Sequence, residues 1–310
     1  MIKDVKKLII LTLLSVCLPL EALTLDKLLP DERNTVEIFQ KYSPKVVFVH
    51  RLARVVNHSY EMMHVSAGAG SGIIWDRDGH IVTNFHVINN AQDLAVTIGN
   101  KTYPVKVIGT EPRKDIAVLQ LKSKKALAAL SQFEPFKLAQ TEKLFVGQKV
   151  IAIGNPFGLD HSLTTGVISA LGRQIKGIAG ITIRDMVQTD AAINTGNSGG
   201  PLLDSQGRLI GLNTMIYSSS GSSAGVGFCI PSDDIKRIVT QIIKNGRVVL
   251  AGIGIQRVEN KIAKQLGVNR GVLIASVLPD TPAELAGFRG TYRDRYGRIV
   301  LGDIIVAVNG

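Results

Sequence analysis

Short runs of hydrophobic residues rich in Val and Ile recur from Lys45 onward, and polar, turn-forming Gly, Pro, Asn and Asp residues separate the runs. Short apolar runs bounded by turn residues predict short strands. The pattern predicts a first set of strands at 46–50, 70–75, 80–84, 94–98, 103–109 and 115–121, and a second set at 149–154, 162–171, 185–190, 201–204, 208–216 and 226–230. Two successive sets of about six strands indicate an all-β region built from paired barrels.

The strand pattern ends at residues 231–246, PSDDIKRIVTQIIKNG, where apolar residues recur at the spacing of one helical face. We expect Ser232 or Asp233 to cap this helix and Gly246 to end it. A region of different composition follows a short linker, with a strand predicted at 271–277 and a turn-and-helix segment after it. The chain therefore contains a larger barrel region and a smaller mixed region.

The first residues form a separate segment that we exclude from the fold. MIKDVKK is basic, and the apolar stretch that follows, 8–20, has the length of an export signal. A membrane-spanning helix needs about 20 apolar residues, which is more than this stretch offers. We expect residues 1–23 to be either a signal peptide cut after Ala22 or an uncleaved N-terminal anchor.

Composition excludes several kinds of partner and site. The chain has 310 residues, 45% of them hydrophobic, and a formal net charge of +11. Its Lys and Arg residues are scattered and do not interleave with aromatic residues, so we expect no nucleic-acid partner. Cys229 is the single cysteine beyond the N-terminal segment, which leaves no internal disulfide and predicts a small core residue. The histidines are dispersed, and we expect no metal site and no cofactor.

Glycine-rich residues 189–211, TDAAINTGNSGGPLLDSQGRLIG, place Ser198 between two pairs that contain glycine. One interpretation is an ordinary turn between strands. The other is a backbone that bends around an exposed nucleophile and directs its N–H groups at a substrate oxygen.

The rest of the chain favours the second interpretation. His86 lies in TNFHVI after a strand of the first set, and Asp115 lies at the start of another strand of that set. Alone, each has an ordinary structural explanation. Histidine and aspartate in the first set and serine in the second follow one of the known orders of a catalytic triad, in a cleft between barrels.

Four segments resemble, in order and spacing, the HtrA/Deg serine proteases: TNFHV, KDIAVLQL, IGNPFGLDHSLTTGVISALGR and TDAAINTGNSGGPLLD. The resemblance covers residues 35–310 and implies a chymotrypsin-like double barrel. It implies His86 as general base, Asp115 as the residue that orients it, and Ser198 as nucleophile. The oxyanion hole would be formed at Gly196, Asn197 and Ser198, through the backbone N–H groups of the first and last.

Family alignment also predicts the substrate pocket and a regulatory residue. Ile193, Ile216 and Tyr217 would surround the primary pocket, and no carboxylate occurs at 191–195 to select Lys or Arg. We therefore expect Val, Ile or Leu before the scissile bond and unfolded or damaged polypeptides as substrates. Arg173 corresponds to a loop that senses occupancy of the family's second domain, with an ordinary surface arginine as the alternative.

The resemblance divides the chain into a protease domain at 34–246 and an α+β PDZ domain at 250–310, which stops before the family's domain does. Gly252, Ile253, Gly254 and Ile255 would form its carboxylate-binding loop for C-terminal peptides, although peptide binding by an incomplete domain is in doubt. A homotrimer and a periplasmic location are also implied. The rival hypothesis is a chaperone-like protein whose triad is held inactive, and a PDZ scaffold alone is disfavoured by the complete triad.

Overall fold

The computed structural model describes residues 24–56, 62–130, 133–156, 158, 160–176, 182–194, 196–216, 224–249 and 252–308. The chain separates into two compact units, the first ending at Val248 and the second beginning at Val249. Unit 1 contains two closed β-barrels and unit 2 contains small sheets with short helices. The predicted strand-rich double-barrel fold is confirmed.

The first barrel is formed by β1 (Val46–Val56), β2 (Met62–Ile74), β3 (His80–Thr83), β4 (Asp93–Ile98), β5 (Lys101–Glu111) and β6 (Ile116–Leu121). All neighbouring strands are antiparallel, and they close in the order β1-β2-β3-β6-β5-β4. Alternate residues face inward, so Val47 and Val49 of β1 pack with Ala117 and Leu119 of β6 in the barrel interior.

The second barrel is formed by β7 (Lys149–Gly154), β8 (Ser162–Lys176), β9 (Thr182–Thr189), β10 (Pro201–Asp204), β11 (Leu209–Ile216) and β12 (Gly227–Pro231). Read around the ring, its order β7-β8-β9-β12-β11-β10 is the order of the first barrel. The two barrels therefore share one topology, although no repeat is visible in the amino-acid sequence.

Among the described residues of unit 1, four helices accompany the barrels: α1 (Pro30–Tyr42), α2 (Phe85–Ile88), α3 (Lys124–Ala129) and α4 (Ser232–Asn245). Single 3₁₀ turns lie at Leu25–Lys27, Ser43–Lys45, Pro112–Lys114 and Thr141–Lys143. The largest apolar cluster joins the outer faces of both barrels to α1 and α4; Val118, Ile153 and Ile238 are among its members. Burial of this shared core holds the barrels together.

The helix predicted at 231–246 is present, but its N-terminal cap differs from the prediction. Pro231 occupies the N-cap position, and neither Ser232 nor Asp233 caps the helix with its side chain. Ser232 is the first helical residue, and its buried hydroxyl donates to the carbonyl oxygen of Ala139 instead. Gly246 ends the helix as predicted, with φ of +71° and its N–H bonded to Ile242.

Unit 2 contains β13 (Ile255–Arg257), β14 (Val272–Val277), β15 (Tyr292–Arg293), β16 (Ile299–Val300) and β17 (Ile304–Ile305), with helices α5 (Asn260–Gln265) and α6 (Pro282–Leu285). Strands β13, β14 and β17 form one sheet, and β15 pairs with β16. The small hydrophobic core of unit 2 centres on Ala263, Val268 and Leu273. In the part of the chain that the structure describes, no helix has the length and apolar character needed to cross a bilayer.

Candidate active site

His86 lies in the one-turn helix α2, which begins two residues after β3 ends. Its ring nitrogen Nδ1 lies 2.7 Å from Oδ2 of Asp115, and its backbone N–H donates to Oδ1 of the same carboxylate at 2.9 Å. An ionised carboxylate only accepts hydrogen bonds, so this contact places the ring proton on Nδ1. Nε2 then keeps its lone pair and is the atom that can accept a proton.

Asp115 is buried, with 3% of its surface exposed, and takes a left-handed backbone conformation with φ of +52°. Its carbonyl oxygen accepts hydrogen bonds from Nδ2 of Asn84 (3.0 Å) and from the N–H of Phe85 (3.1 Å). These bonds tie the β5–β6 turn to the start of α2. The hydroxyl of Thr214 also donates to Oδ2 of Asp115. A buried carboxylate requires partners of this kind, because its desolvation is otherwise unfavourable.

Ser198 lies in the tight turn that precedes β10 of the second barrel. Its hydroxyl donates to the carbonyl oxygen of Thr214 at 3.1 Å. A serine hydroxyl has one proton, so Ser198 cannot donate to His86 while it donates to Thr214. Thr214 therefore contacts the aspartate through its hydroxyl and the serine through its carbonyl, so all three predicted residues meet around one position of β11.

The glycines beside Ser198 are required by close backbone approaches. Gly199 has φ of +84°, and a Cβ there would lie 2.1 Å from the carbonyl oxygen of Ser71. Gly196 has φ of +109°, and a Cβ there would lie 2.3 Å from Cβ of Pro156. Positive φ and the absence of space each exclude a side chain at these two positions.

Asn197 braces the turn with its side chain. Its Oδ1 accepts the N–H of Asn194 at 3.0 Å, and its Nδ2 donates to the carbonyl oxygen of Ala192 at 3.0 Å. The side chain is thus directed into the loop, and Asn197 is 8% exposed. Its contribution to an oxyanion hole would come from the backbone conformation that it stabilises.

Sequence reasoning missed Thr214 and its neighbour Asn213. Asn213 accepts the N–H of Gly199 at 2.8 Å and donates its own N–H to Gly200 at 2.9 Å, so it holds the back of the serine turn. Both residues are almost completely buried. The available signal was two polar residues within an apolar strand, RLIGLNTMI, since buried polar groups need a partner.

Comparisons with known proteins identify the family to which the chain belongs. Residues 70–212 match the family model of the trypsin-like peptidase domain. Protease Do-like 1, chloroplastic, of Arabidopsis thaliana is 51% identical over 287 residues, which are 92% of this chain and 64% of that protein. The crystal structure of Deg5 is 36% identical, with a TM-score of 0.58, over 72% of this chain and 100% of that one. The chain belongs to the HtrA/Deg family of serine proteases.

More distant family members match over similar lengths. Periplasmic serine endoprotease DegP of Escherichia coli (strain K12) is 39% identical over 78% of this chain and 48% of its own. The HtrA-type protease AlgW, solved with a decapeptide, is 27% identical with a TM-score of 0.65 over 89% of this chain and 99% of that one. The chain thus spans 64% of the length of the Arabidopsis relative and about half that of DegP.

The family's primary pocket is described only in part. Ile193 is 1% exposed and packs in the core of the second barrel beside Ala191. A Cβ on Gly227 would lie 2.6 Å from the Ile193 side chain, so this strand approaches it closely. Ile216 is the last residue of β11, and Tyr217 lies outside the described residues. These pocket assignments stay predictions.

The structure also places the predicted regulatory and peptide-binding residues. Arg173 lies on β8, and its Nε donates to Oε1 of Gln188 on β9 at 3.0 Å. In unit 2, residues 252–255 lead into β13, and the carbonyl oxygen of Ile253 accepts the N–H of Ala283 at 2.8 Å. Gly254 has φ of +86°, and a Cβ there would meet Thr281 at 2.2 Å. The roles of these residues stay predictions.

Within the described residues, one cluster has the composition of a metal site: Asp76, Asp78 and His80 in the β2–β3 turn. Oδ1 of Asp76 accepts the backbone N–H of His80, and Oδ2 lies 2.7 Å from its ring nitrogen Nδ1. Burial raises the pKa of Asp76, but the hydrogen bonds from His80 outweigh it and hold that pKa below its usual value. These contacts explain why Asp76 and His80 lie together: their hydrogen bonds stabilise the β2–β3 turn.

Proposed function

We propose that this chain is a serine endopeptidase that cleaves unfolded or damaged polypeptides. The observation that carries the proposal is the 2.7 Å contact between Nδ1 of His86 and the buried carboxylate of Asp115, which Thr214 links to the Ser198 hydroxyl. A histidine fixed in this way by a buried carboxylate is suited to act as general base for a nearby hydroxyl. Membership of the HtrA/Deg family supports the same assignment.

The reaction proceeds by acyl transfer. The Ser198 hydroxyl turns from the carbonyl oxygen of Thr214 to Nε2 of His86 and attacks the substrate carbonyl carbon, while His86 takes its proton. Asp115 stabilises the imidazolium that forms. His86 then gives the proton to the leaving amine, and water hydrolyses the acyl-enzyme by the same steps. The N–H groups of Gly196 and Ser198 stabilise the negative oxygen of the tetrahedral intermediate.

The substrate is an extended segment with Val, Ile or Leu before the scissile bond, bound at a pocket formed by Ile193, Ile216 and Tyr217. Unfolded proteins expose such segments. AlgW was solved with a decapeptide, which supports peptide recognition by this fold. Discrimination among apolar residues should be modest, since one methylene is worth about 1–3 kcal/mol.

The same family supports proposals about the surroundings of the enzyme. One relative is named periplasmic, which supports export to the periplasm with residues 1–23 as signal or anchor, whereas another is named chloroplastic. We assign unit 2 as a PDZ-type domain that binds C-terminal peptides through residues 252–255, with Arg173 sensing its occupancy. A homotrimer is the expected assembly.

Digestion of unfolded casein tests the proposal. The wild-type chain should degrade casein, and Ser198→Ala should reduce the rate at least about 1,000-fold, because it removes the nucleophile. Ser205→Ala is the matched control, since this serine is exposed in the turn after β10 and should leave the rate unchanged. If wild type and Ser198→Ala both leave casein intact and both suppress its aggregation, the chaperone alternative is correct.

A further inference from the structure

Ser71, in β2 of the first barrel, connects that barrel to the nucleophile turn of the second. It is completely buried, at 0% exposure. Its backbone N–H donates to the carbonyl oxygen of Ser198 at 2.8 Å, and its hydroxyl donates to the carbonyl oxygen of Gly196 at 2.6 Å. One residue therefore bonds two of the three successive carbonyl groups at the turn.

The remaining polar groups of Ser71 also have partners. Its hydroxyl oxygen accepts the backbone N–H of Asn155 at 2.8 Å, and its carbonyl oxygen accepts the hydroxyl of Thr83 at 2.7 Å. Asn155 follows β7, so the Ser71 hydroxyl bridges two segments of the second barrel. A fully bonded buried hydroxyl holds a single orientation, because any other would leave a buried group unpaired.

These bonds fix the planes of two peptide groups. The Gly196–Asn197 peptide is held at its oxygen by Ser71 and at its N–H by the carbonyl oxygen of Asn194, 3.2 Å away. The Ser198–Gly199 peptide is held at its oxygen by Ser71 and at its N–H by Asn213, 2.8 Å away. A peptide bonded at both ends cannot rotate freely. The Asn197–Ser198 peptide lies between these two, so the direction of the Ser198 N–H is restricted.

We propose that Ser71 is a positioning residue that holds the nucleophile turn in the conformation needed to stabilise the oxyanion. The inference rests on the proposed protease function and deepens it. Ser71 touches neither substrate nor the reacting atoms, and it acts through the carbonyl oxygens of Gly196 and Ser198. Its hydroxyl bond is the part that a substitution can remove, while the bond from its backbone N–H remains.

A comparison of two buried serines tests the proposal. Ser71→Ala removes the hydroxyl that bonds Gly196, and Ser232→Ala removes an equally buried hydroxyl that bonds the backbone carbonyl of Ala139, outside the site. Both variants should lower the melting temperature, Ser71→Ala more than Ser232→Ala, because its hydroxyl also accepts the N–H of Asn155. With a peptide that has valine before the scissile bond, Ser71→Ala should lower kcat about 10- to 100-fold and change KM less than about twofold. Ser232→Ala should keep the wild-type kcat.

The result that overturns the proposal is a wild-type kcat for Ser71→Ala, or the same loss of kcat in both variants. If Ser71→Ala does not fold, Ser71→Cys decides by the same comparison, because a thiol is a weaker donor in nearly the same place. A wild-type chain that cleaves no peptide would instead refute the proposed function, and this inference with it.

Discussion

The hydroxyl of Thr214 donates to Oδ2 of Asp115, the same oxygen that bonds Nδ1 of His86. Thr214 lies on β11 of the second barrel, whereas Asp115 and His86 belong to the first. The orientation of the histidine thus depends on both barrels. A carboxylate oxygen can accept two hydrogen bonds, and two donors fix its position better than one.

Thr214→Val should reduce catalysis by removing this donor without changing the size of the side chain greatly. A hydrogen bond to a charged group is worth about 1.5–3 kcal/mol, so kcat should fall about 10- to 100-fold if most of this stabilises the imidazolium. KM should change little, since the substitution leaves the backbone carbonyl at position 214, which bonds Ser198, in place. Steady-state kinetics on a chromogenic peptide measures both values.

Thr214→Ser provides the control, because it keeps the hydroxyl and loses only a methyl group. Its kcat should remain within a few-fold of wild type. Equal kcat values for Thr214→Val and wild type would show that the contact with Asp115 does not support the histidine.

Gly199→Ala should both destabilise and inactivate the protein. Its Cβ would lie 2.1 Å from the carbonyl oxygen of Ser71, at φ of +84°. Gly147 has a similar φ of +89°, but a Cβ there would have no heavy atom within 4 Å, so Gly147→Ala measures the conformational strain alone. We expect a loss of about 1–2 kcal/mol at Gly147 and a clearly larger loss at Gly199.

Urea unfolding of both glycine variants gives the two free energies, and peptide hydrolysis shows whether activity follows. Gly147→Ala should keep its activity. If the two variants are equally stable, the backbone at Gly199 or Ser71 can move apart to accommodate a Cβ.

The sequence was sufficient for the features that short patterns encode. Short Val- and Ile-rich runs between turn residues predicted both sets of strands, and the residues around Ser198 indicated its glycine-dependent turn. Helix α1 was not predicted, because only Ile38 and Tyr42 of its 13 residues are buried and the apolar face is correspondingly weak. Ser232 was misjudged as a cap because its acceptor, Ala139, is 93 residues away.

Contacts between the barrels could not be predicted from the sequence either, because their partners are also far apart along the chain. Thr214 bonds Asp115 across 99 residues, and Ser71 bonds Gly196 across 125. No local pattern indicates which strand position faces which loop, because strand register and barrel packing together decide it. The residues that support the predicted site are therefore the ones that only the fold identifies.

Asp234→Asn should destabilise the protein in a pH-dependent way. Oδ2 of Asp234 bonds Lys114 at 2.6 Å and Oδ1 bonds Arg237 at 2.6 Å, so the carboxylate ties α4 to the turn that carries Asp115. Burial raises the pKa of Asp234, but the bonds from Lys114 and Arg237 outweigh it and leave that pKa below its usual value. At pH 7 the loss should be about 1–3 kcal/mol.

The pH dependence follows from the lowered pKa. The stabilisation is complete above the pKa of the unfolded chain, about 3.9, and is lost as pH falls through the lower pKa of the folded state. Urea unfolding at pH 7, 5 and 3 should thus show the difference between wild type and Asp234→Asn shrinking at the lowest pH. Asp233→Asn is the neighbouring control, because an amide can still accept the N–H of Thr141. A difference that is constant from pH 7 to 3 would contradict this assignment.

Cys229 should be chemically inert in the folded protein. It is completely buried on β12, its thiol bonds Oδ1 of Asn213 at 3.2 Å, and burial raises the pKa of the thiol well above its usual value. Since the thiolate is the reactive form, alkylation requires unfolding.

In a Cys17→Ser background, iodoacetamide should label native Cys229 at least about 1,000-fold more slowly than in guanidinium, given ordinary folding stability. Ser205→Cys in the same background supplies an exposed thiol for comparison, and labelling of both sites at similar native rates would mean that β12 opens readily.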